Sequence, residues 1–340
     1  MNLVKYIWVV LGLGIVSFSS CTNDTPEPID DQVDKPYVTT PYEVEVPAGF
    51  PDMIVPDDNK MTMEGVSLGR MLYYDKILDK DSARTCASCH VQSQGFQVDN
   101  GSNQVLAHVN FAWSNNYMWN GGFQGTLEDV MLFEVEHFFE TKIARLNASE
   151  KYRDLFKKAY DVDEITSKEA AYALAQFQRV LTSGNSKFDK FVKGEIMLTT
   201  QELEGLELFN TERADCFHCH GTALFTDNTP RNNGLDANPE EGLMKVTGYP
   251  KDLGRFKTPT LRNIELTAPY MHDGRFATLE EVVDFYSTGV HNTATVDPLM
   301  VYAFKGGVAL NATEKEALVA FLKTLTDTDF LTDTELSDPF

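Results

Sequence analysis

Basic residues are scarce in this chain. Its 340 residues include 29 Lys and Arg against 51 Asp and Glu, for a formal net charge of -22. That balance argues against nucleic acid or an anionic membrane surface as partner, and it would steer a basic protein toward the molecule. Strand signals are few as well, and apolar residues recur at helical spacing instead, which predicts an all-α fold. With 42% hydrophobic residues the chain is not disordered, and it is long enough for one large or two medium domains with real cores.

A long membrane-spanning run is missing too. The apolar stretch over residues 6–18 follows Lys5 and closes at Ser19-Ser20-Cys21; it is too short for a comfortable span but shaped like an export signal. A cysteine just after small residues resembles the lipobox of a bacterial lipoprotein. On that reading residues 1–21 are a lipoprotein signal peptide and Cys21 is the acylated start of an exported protein, periplasmic or cell-surface, that meets membrane only through its lipid. An ordinary signal peptide with an incidental cysteine is the rival. Residues 22–50, acidic and Pro-rich, read as a solvated tether.

Cysteine is sparse, and its placement is informative. Besides Cys21 there are two pairs, each followed at once by histidine: Cys86-Ala87-Ser88-Cys89-His90 and Cys216-Phe217-His218-Cys219-His220. This is the c-type haem attachment signature. Two thiols separated by two residues can form thioethers to both vinyl groups while the adjacent imidazole is held against the iron. A thioredoxin-like pair or a zinc ribbon leaves the trailing histidines unexplained. Two covalently bound haem c groups are therefore expected, and export agrees with them.

Each motif follows a similar lead-in, Glu64-Gly65-Val66-Ser67-Leu68-Gly69 through Tyr73 and Glu204-Gly205-Leu206-Glu207-Leu208-Phe209, which suggests a duplicated cytochrome unit. Further helices are predicted over 126–139, 150–159, 167–181, 279–286 and 314–325. Long irregular stretches at 92–125 and 221–269 are expected to wrap the haems. The break at Ser183-Gly184-Asn185-Ser186 divides the chain into an N-terminal cytochrome c-like domain, 51–188, and a C-terminal one, 189–330.

From about Val66 to Leu325 the chain resembles the bacterial diheme cytochrome c peroxidase family, including its MauG branch. The most specific segments are Thr182-Ser183-Gly184-Asn185-Ser186-Lys187-Phe188-Asp189, Lys257-Thr258-Pro259-Thr260-Leu261-Arg262-Asn263 and Thr267-Ala268-Pro269-Tyr270-Met271-His272-Asp273-Gly274. The resemblance implies that the first haem reacts with hydrogen peroxide and the second transfers electrons, with Trp119 bridging them; a plain core aromatic is the alternative for Trp119. Counting on from Trp119, the family's distal glutamate falls on Glu140, with Glu134 and Glu136 close by, while the family's glutamine and proline appear as Val130 and Glu134. A carboxylate there would carry a proton between the two peroxide oxygens. No histidine stands near Phe96 or Gln97, where reductively activated members supply a ligand. The first iron is therefore expected to be open, with His108 as a rival ligand.

Fourteen residues after His272, where classical members of the family place a methionine ligand, this chain has Tyr286. MauG-type enzymes have an axial tyrosine there, and a phenolate would lower the potential; Met271 and Met300 are the rivals. The resemblance also implies a calcium ion held by backbone oxygens near Thr267 and Pro269, with the family's asparagine falling at Gln104 and Asn103 alongside. Arg255, Lys257 and Arg262 are candidate partners of the haem propionates.

Three functions follow from the resemblance. The first is a peroxidase fed by a small cytochrome c or cupredoxin. The second is a MauG-like enzyme oxidising Trp or Tyr of a partner protein, although MauG's surface tryptophan falls here at Ala214, which argues against the methylamine dehydrogenase precursor as substrate. The third is a diheme electron carrier. A homodimer is compatible with each.

Overall fold

The computed structural model describes residues 37–98 and 104–340. The expected signal peptide, Cys21 and Asn103 lie outside these. Residues Val38–Phe340 form one compact unit. It is mostly helical, and the long irregular stretches each carry one short hairpin, Asn116–Tyr117 with Phe123–Gln124 and Pro230–Arg231 with Phe256–Lys257.

The duplication is visible in one repeated contact. In the first half the Met63–Tyr74 helix crosses the Ser167–Val180 helix, and in the second the Thr200–Phe209 helix crosses Ala312–Lys323. Each crossing is closed by a glycine. A Cβ on Gly69 would lie 1.9 Å from the Ala173 carbonyl oxygen, and one on Gly205 would lie 2.0 Å from that of Ala317. Both approaches are far inside contact distance, so no larger residue fits without parting the helices. The lead-ins therefore align Gly69 with Gly205, four residues from the alignment of Gly65 with Gly205 that their wording suggests. Aromatic rings follow the same register: Tyr73 meets Phe177 with ring centroids 5.2 Å apart, and Phe209 meets Phe321 at 5.1 Å.

A second pair of helices repeats as well. Thr126 and Thr278 cap the Leu127–Phe133 and Leu279–Asp284 helices through reciprocal bonds with Asp129 and Glu281, the capping box that an Asp or Glu three residues after threonine supplies. Both helices then widen into a π turn, Glu134–Phe138 and Phe285–Gly289, a feature frequent at functional sites. The expected helices at 150–159, 167–181 and 314–325 appear as Glu150–Tyr160, Ser167–Val180 and Ala312–Lys323.

Apolar side chains gather into one large cluster per half, from Leu68 to Leu181 and from Leu208 to Leu325, and the first also takes in Phe330 and Leu336. The chain end thus returns to the first half, where Arg70 donates to the Ser337 carbonyl and Gln92 to that of Asp333. Between the clusters, Asp327 accepts from the backbone of Gly184 and Asn185, and Asn263 donates to Ser183. From Thr40 onward the expected tether is not free. Thr40 bonds Glu64, Tyr42 donates from its backbone to Met61, and the Phe50 ring lies 4.7 Å from the Arg262 guanidinium.

Candidate active site

Cys86, Cys89, Cys216 and Cys219 form no disulfide, which leaves all four thiols for thioether formation. Both motif histidines are anchored in the same way. His90 Nδ1 lies 3.0 Å from the Phe96 carbonyl oxygen and His220 Nδ1 2.8 Å from that of Phe225. Each accepting phenylalanine adopts a left-handed backbone, φ 57° and 52°, a conformation that costs a non-glycine residue about 1 kcal/mol or more and turns the carbonyl inward. With Nδ1–H committed to a carbonyl, Nε2 is left to face a metal. Burial lowers both imidazoles, opposed by the carbonyl bonds, and takes His90 to about 4. They are therefore neutral, as ligands must be.

Around His220 lies a large, mainly apolar cavity lined also by Cys216, Cys219, Leu235, Tyr286 and Met300. Its shape and donor set fit a haem. Tyr286, eight residues beyond the cap Thr278, receives a hydrogen bond on its hydroxyl from Asn233 Nδ2 at 3.0 Å. Burial raises the phenol to about 12, and the Asn233 bond pulls it back. Met271 Sδ sits 3.7 Å from the same Asn233 nitrogen. Lys257 is buried in this cavity wall with Nζ 2.6 Å from Asn228 Oδ1, and burial lowers it to about 8 against the pull of Asp227. Arg262 is not available to a propionate. It is 1% exposed and locked in a two-point pair with Asp189 at 2.8 and 3.0 Å. Arg255 stands near Asp252 at 3.6 Å, with its buried Nε lacking a partner.

Glu134, eight residues beyond the cap Thr126, occupies in the first half the place Tyr286 holds in the second. Its carboxyl is half-buried without a side-chain partner among the described residues. Burial raises it to about 7, and its charge is close enough to push up the already buried Cys86 thiol. Glu140 differs. It has left-handed backbone, is 56% exposed at the side chain, and pairs with Lys80. The helix phase set by Thr126 aims position 134 inward, whereas the chain has left the helix by residue 140, where Glu140 was expected as the distal carboxylate. Glu136 is exposed.

His108 does not face His90 across an open iron. The two rings stack face to face, centroids 3.3 Å apart and planes within 11°. An iron between two imidazoles at about 2 Å per bond needs roughly twice that separation, so the two rings as they stand hold none between them.

Trp119 reaches between the halves. Its indole N–H donates to the Gln104 carbonyl at 2.9 Å and its own carbonyl accepts from Lys257 N at 2.7 Å. It lines the His220 cavity. The carbonyls of Thr267 and Pro269 converge on the Gln104 amide nitrogen, and Gln104 Oε1 is left buried without a partner.

The family description "di-haem cytochrome c peroxidase" matches residues 63–197. The chain is 30% identical to the cytochrome-c peroxidase IdrP1 of Pseudomonas sp. (strain SCT), over 82% of this chain and 85% of that protein. It is 32% identical to the methylamine utilization protein MauG of Methylorubrum extorquens, over 79% and 80% of the two chains. A crystal structure of a MauG-like protein associated with microbial copper homeostasis superposes with a TM-score of 0.80 at 32% identity, over 88% of this chain and 99% of that one.

Proposed function

Because the chain belongs to the di-haem cytochrome c peroxidase family, in its MauG-like branch, we propose that it is an oxidoreductase that takes hydrogen peroxide at the first haem and passes electrons through the second. When bound, each haem supplies an iron that can accept a peroxide oxygen or transfer an electron. The observation that carries the reading is the asymmetry eight residues past the two caps, where one half has the carboxyl of Glu134 and the other the phenol of Tyr286, each pushed up by burial.

Glu134 in its carboxylate form accepts the proton from one peroxide oxygen and returns it to the other, so that the departing oxygen leaves as water rather than hydroxide. Tyr286, which shares the cavity with His220, would hold the second iron through its oxygen, and Asn233 donates to that oxygen, which favours the phenolate. Trp119, with a foothold on each half, divides a long electron transfer into two short ones. Lys257, a buried ammonium with only an amide partner, binds a haem propionate there.

Turning the Gln104 amide about its axis would aim Oε1 with the Thr267 and Pro269 carbonyls at one point, an oxygen set suited to calcium. The notion of a lipid anchor at Cys21 and a periplasmic or surface location rests on the N-terminal pattern alone; no helix of the described residues is long and apolar enough to cross a membrane.

A second reading, oxidation of Trp or Tyr in a partner protein, is favoured by the Tyr286–Asn233 contact, since an oxygen ligand stabilises a highly oxidised iron. Steady-state consumption of peroxide with reduced cytochrome c or cupredoxin, run beside peroxide-driven oxidation of a candidate partner, separates the two. A diheme carrier predicts no change in the oxidised spectrum on adding peroxide, and that result would remove both enzymatic readings.

A further inference from the structure

Beside the first motif histidine lies a polar group of residues that peroxide chemistry at Glu134 does not use. Tyr73 is fully buried, and its hydroxyl lies 3.1 Å from His108 Nδ1. Gln178 Nε2 donates to the same nitrogen at 2.9 Å. With the Gln178 amide as placed, Nδ1 accepts from both, and Gln178 Oε1 is left buried without a partner among the described residues. The His108 ring stacks on His90 with centroids 3.3 Å apart and meets the Tyr73 ring at 5.9 Å, and Tyr73 meets Tyr74 at 5.2 Å. Tyr74 is only half-buried, its hydroxyl donating to the Leu336 carbonyl at 2.7 Å. The run His90, His108, Tyr73, Tyr74 therefore leads from the iron ligand toward the surface without a gap.

The second half lacks two polar members of this group. Phe209 replaces Tyr73, and Leu322 stands where the first half has Gln178, one helix register along from Ala317 as Gln178 is from Ala173. Packing alone is thus met by a phenyl ring and a leucine. The Tyr73 hydroxyl and the Gln178 amide are additions confined to the half expected to meet peroxide.

We propose that Tyr73, with His108 as proton acceptor and Tyr74 as outlet, is a one-electron relay that discharges the first haem when the second haem supplies no electron. The relay rests on the peroxide reading above. Peroxide is the oxidant. Tyr73 gives one electron toward His90 and its phenolic proton to His108 Nδ1, becoming a neutral radical. Tyr74 then returns an electron to Tyr73, the proton moves back from His108, and Tyr74 releases its own proton to solvent, so that one of peroxide's two oxidising equivalents comes to rest as a Tyr74 radical, which is consumed by coupling with a second such radical. Burial disfavours charge on His108, but an oxidised phenol is a far stronger acid than any imidazolium, so the transfer remains downhill.

The test is freeze-quench electron paramagnetic resonance of the diheme protein mixed with peroxide in the absence of a reductant, with ring-deuterated tyrosine incorporated in parallel. The expected result is an organic radical whose hyperfine pattern narrows on deuteration. It should be lost in Tyr73→Phe with the oxidised haem spectrum unchanged, and persist several-fold longer in Tyr74→Phe. Phe209 indicates that the Tyr73→Phe ring will fit. A haem that reacts while the radical is absent, insensitive to deuteration, or unaltered by Tyr73→Phe overturns the relay alone. A haem spectrum that does not respond to peroxide overturns both the relay and the reading beneath it.

Discussion

The two halves of the molecule use one scaffold and differ in the groups aimed at its two faces. Both cross a glycine-bearing helix over an alanine carbonyl, both anchor the motif histidine to a left-handed phenylalanine, and both cap a helix with threonine before a π turn. Beyond the cap, however, one half presents a carboxyl and the other a phenol. Behind the histidine, one half packs Tyr73 and His108 and the other Phe209. Duplication thus settles where a group sits, and side-chain identity settles what it does there. On the proposed reading, a proton shuttle and an oxygen ligand occupy equivalent positions of one scaffold and differ only in chemistry.

The comparison breaks most completely if the motifs are removed one at a time. Cys86→Ala with Cys89→Ala should leave one covalent haem, measured as pyridine haemochrome, and abolish the spectral response to peroxide. Cys216→Ala with Cys219→Ala should also leave one haem, yet retain that response while steady-state turnover stops. Equal loss of the response in both would show that the halves do not divide the labour as stated.

The next largest effect is expected at the distal carboxylates. Glu134→Gln should slow the peroxide-driven spectral change by about 10²–10⁴-fold, whereas Glu140→Gln should alter it by only a few-fold. In the unmodified protein the rate should rise with pH through a midpoint near the value of about 7 that burial gives Glu134. Below it the carboxyl is protonated and cannot accept the first proton; above it the base is present. The same raised value means that the folded protein holds a proton the unfolded chain releases, so stability contributed by this group falls as pH rises from the ordinary glutamate range to about 7.

Stability tests the scaffold rather than the sites. Each half holds one buried arginine pair, Arg179 with Glu128 and Arg262 with Asp189. Asp189 is raised by burial, but the bonds from Arg262 and Ser186 outweigh this and hold it below the usual range. Asp189→Ala or Glu128→Ala strands a buried guanidinium and should cost about 3–5 kcal/mol in denaturant unfolding. Unequal costs would indicate that one half folds on the other as a template.

Smaller and more local is the expected effect of Tyr286→Met. A thioether in place of a phenolate should raise the second haem's reduction potential and leave the ferric signal of the first unchanged. Tyr286→Phe should change the low-spin signal as well; if neither variant alters it, Met271 or Met300 is the ligand.

Much of this was legible along the chain because it is local. The attachment pentapeptides, the capping threonines and the helices at 150–159 and 167–181 depend on residues within a few positions of one another. Tyr286 was found by counting from His272, and its neighbour Asn233, far off in sequence, could not be found that way. Counting along the family pattern reaches Glu140 and passes over position 134, where that pattern has proline. The cap-to-π-turn register draws attention to Glu134 instead, through a signal present in the sequence as Thr126 and Thr278. Arg262 looked like a propionate partner because its motif is shared and its charge conspicuous; only packing revealed that Asp189 already holds it.

The amino-acid order by itself determined the covalent chemistry: which thiols bind, which histidines follow them, and where helices begin, because bond formation and capping reach across three or four residues. That His108 lies beside His90, that Asp189 holds Arg262, and that Trp119 touches both halves were decided by tertiary structure. Those relations join residues far apart in the chain, where packing of the two halves and not any local rule sets the distance.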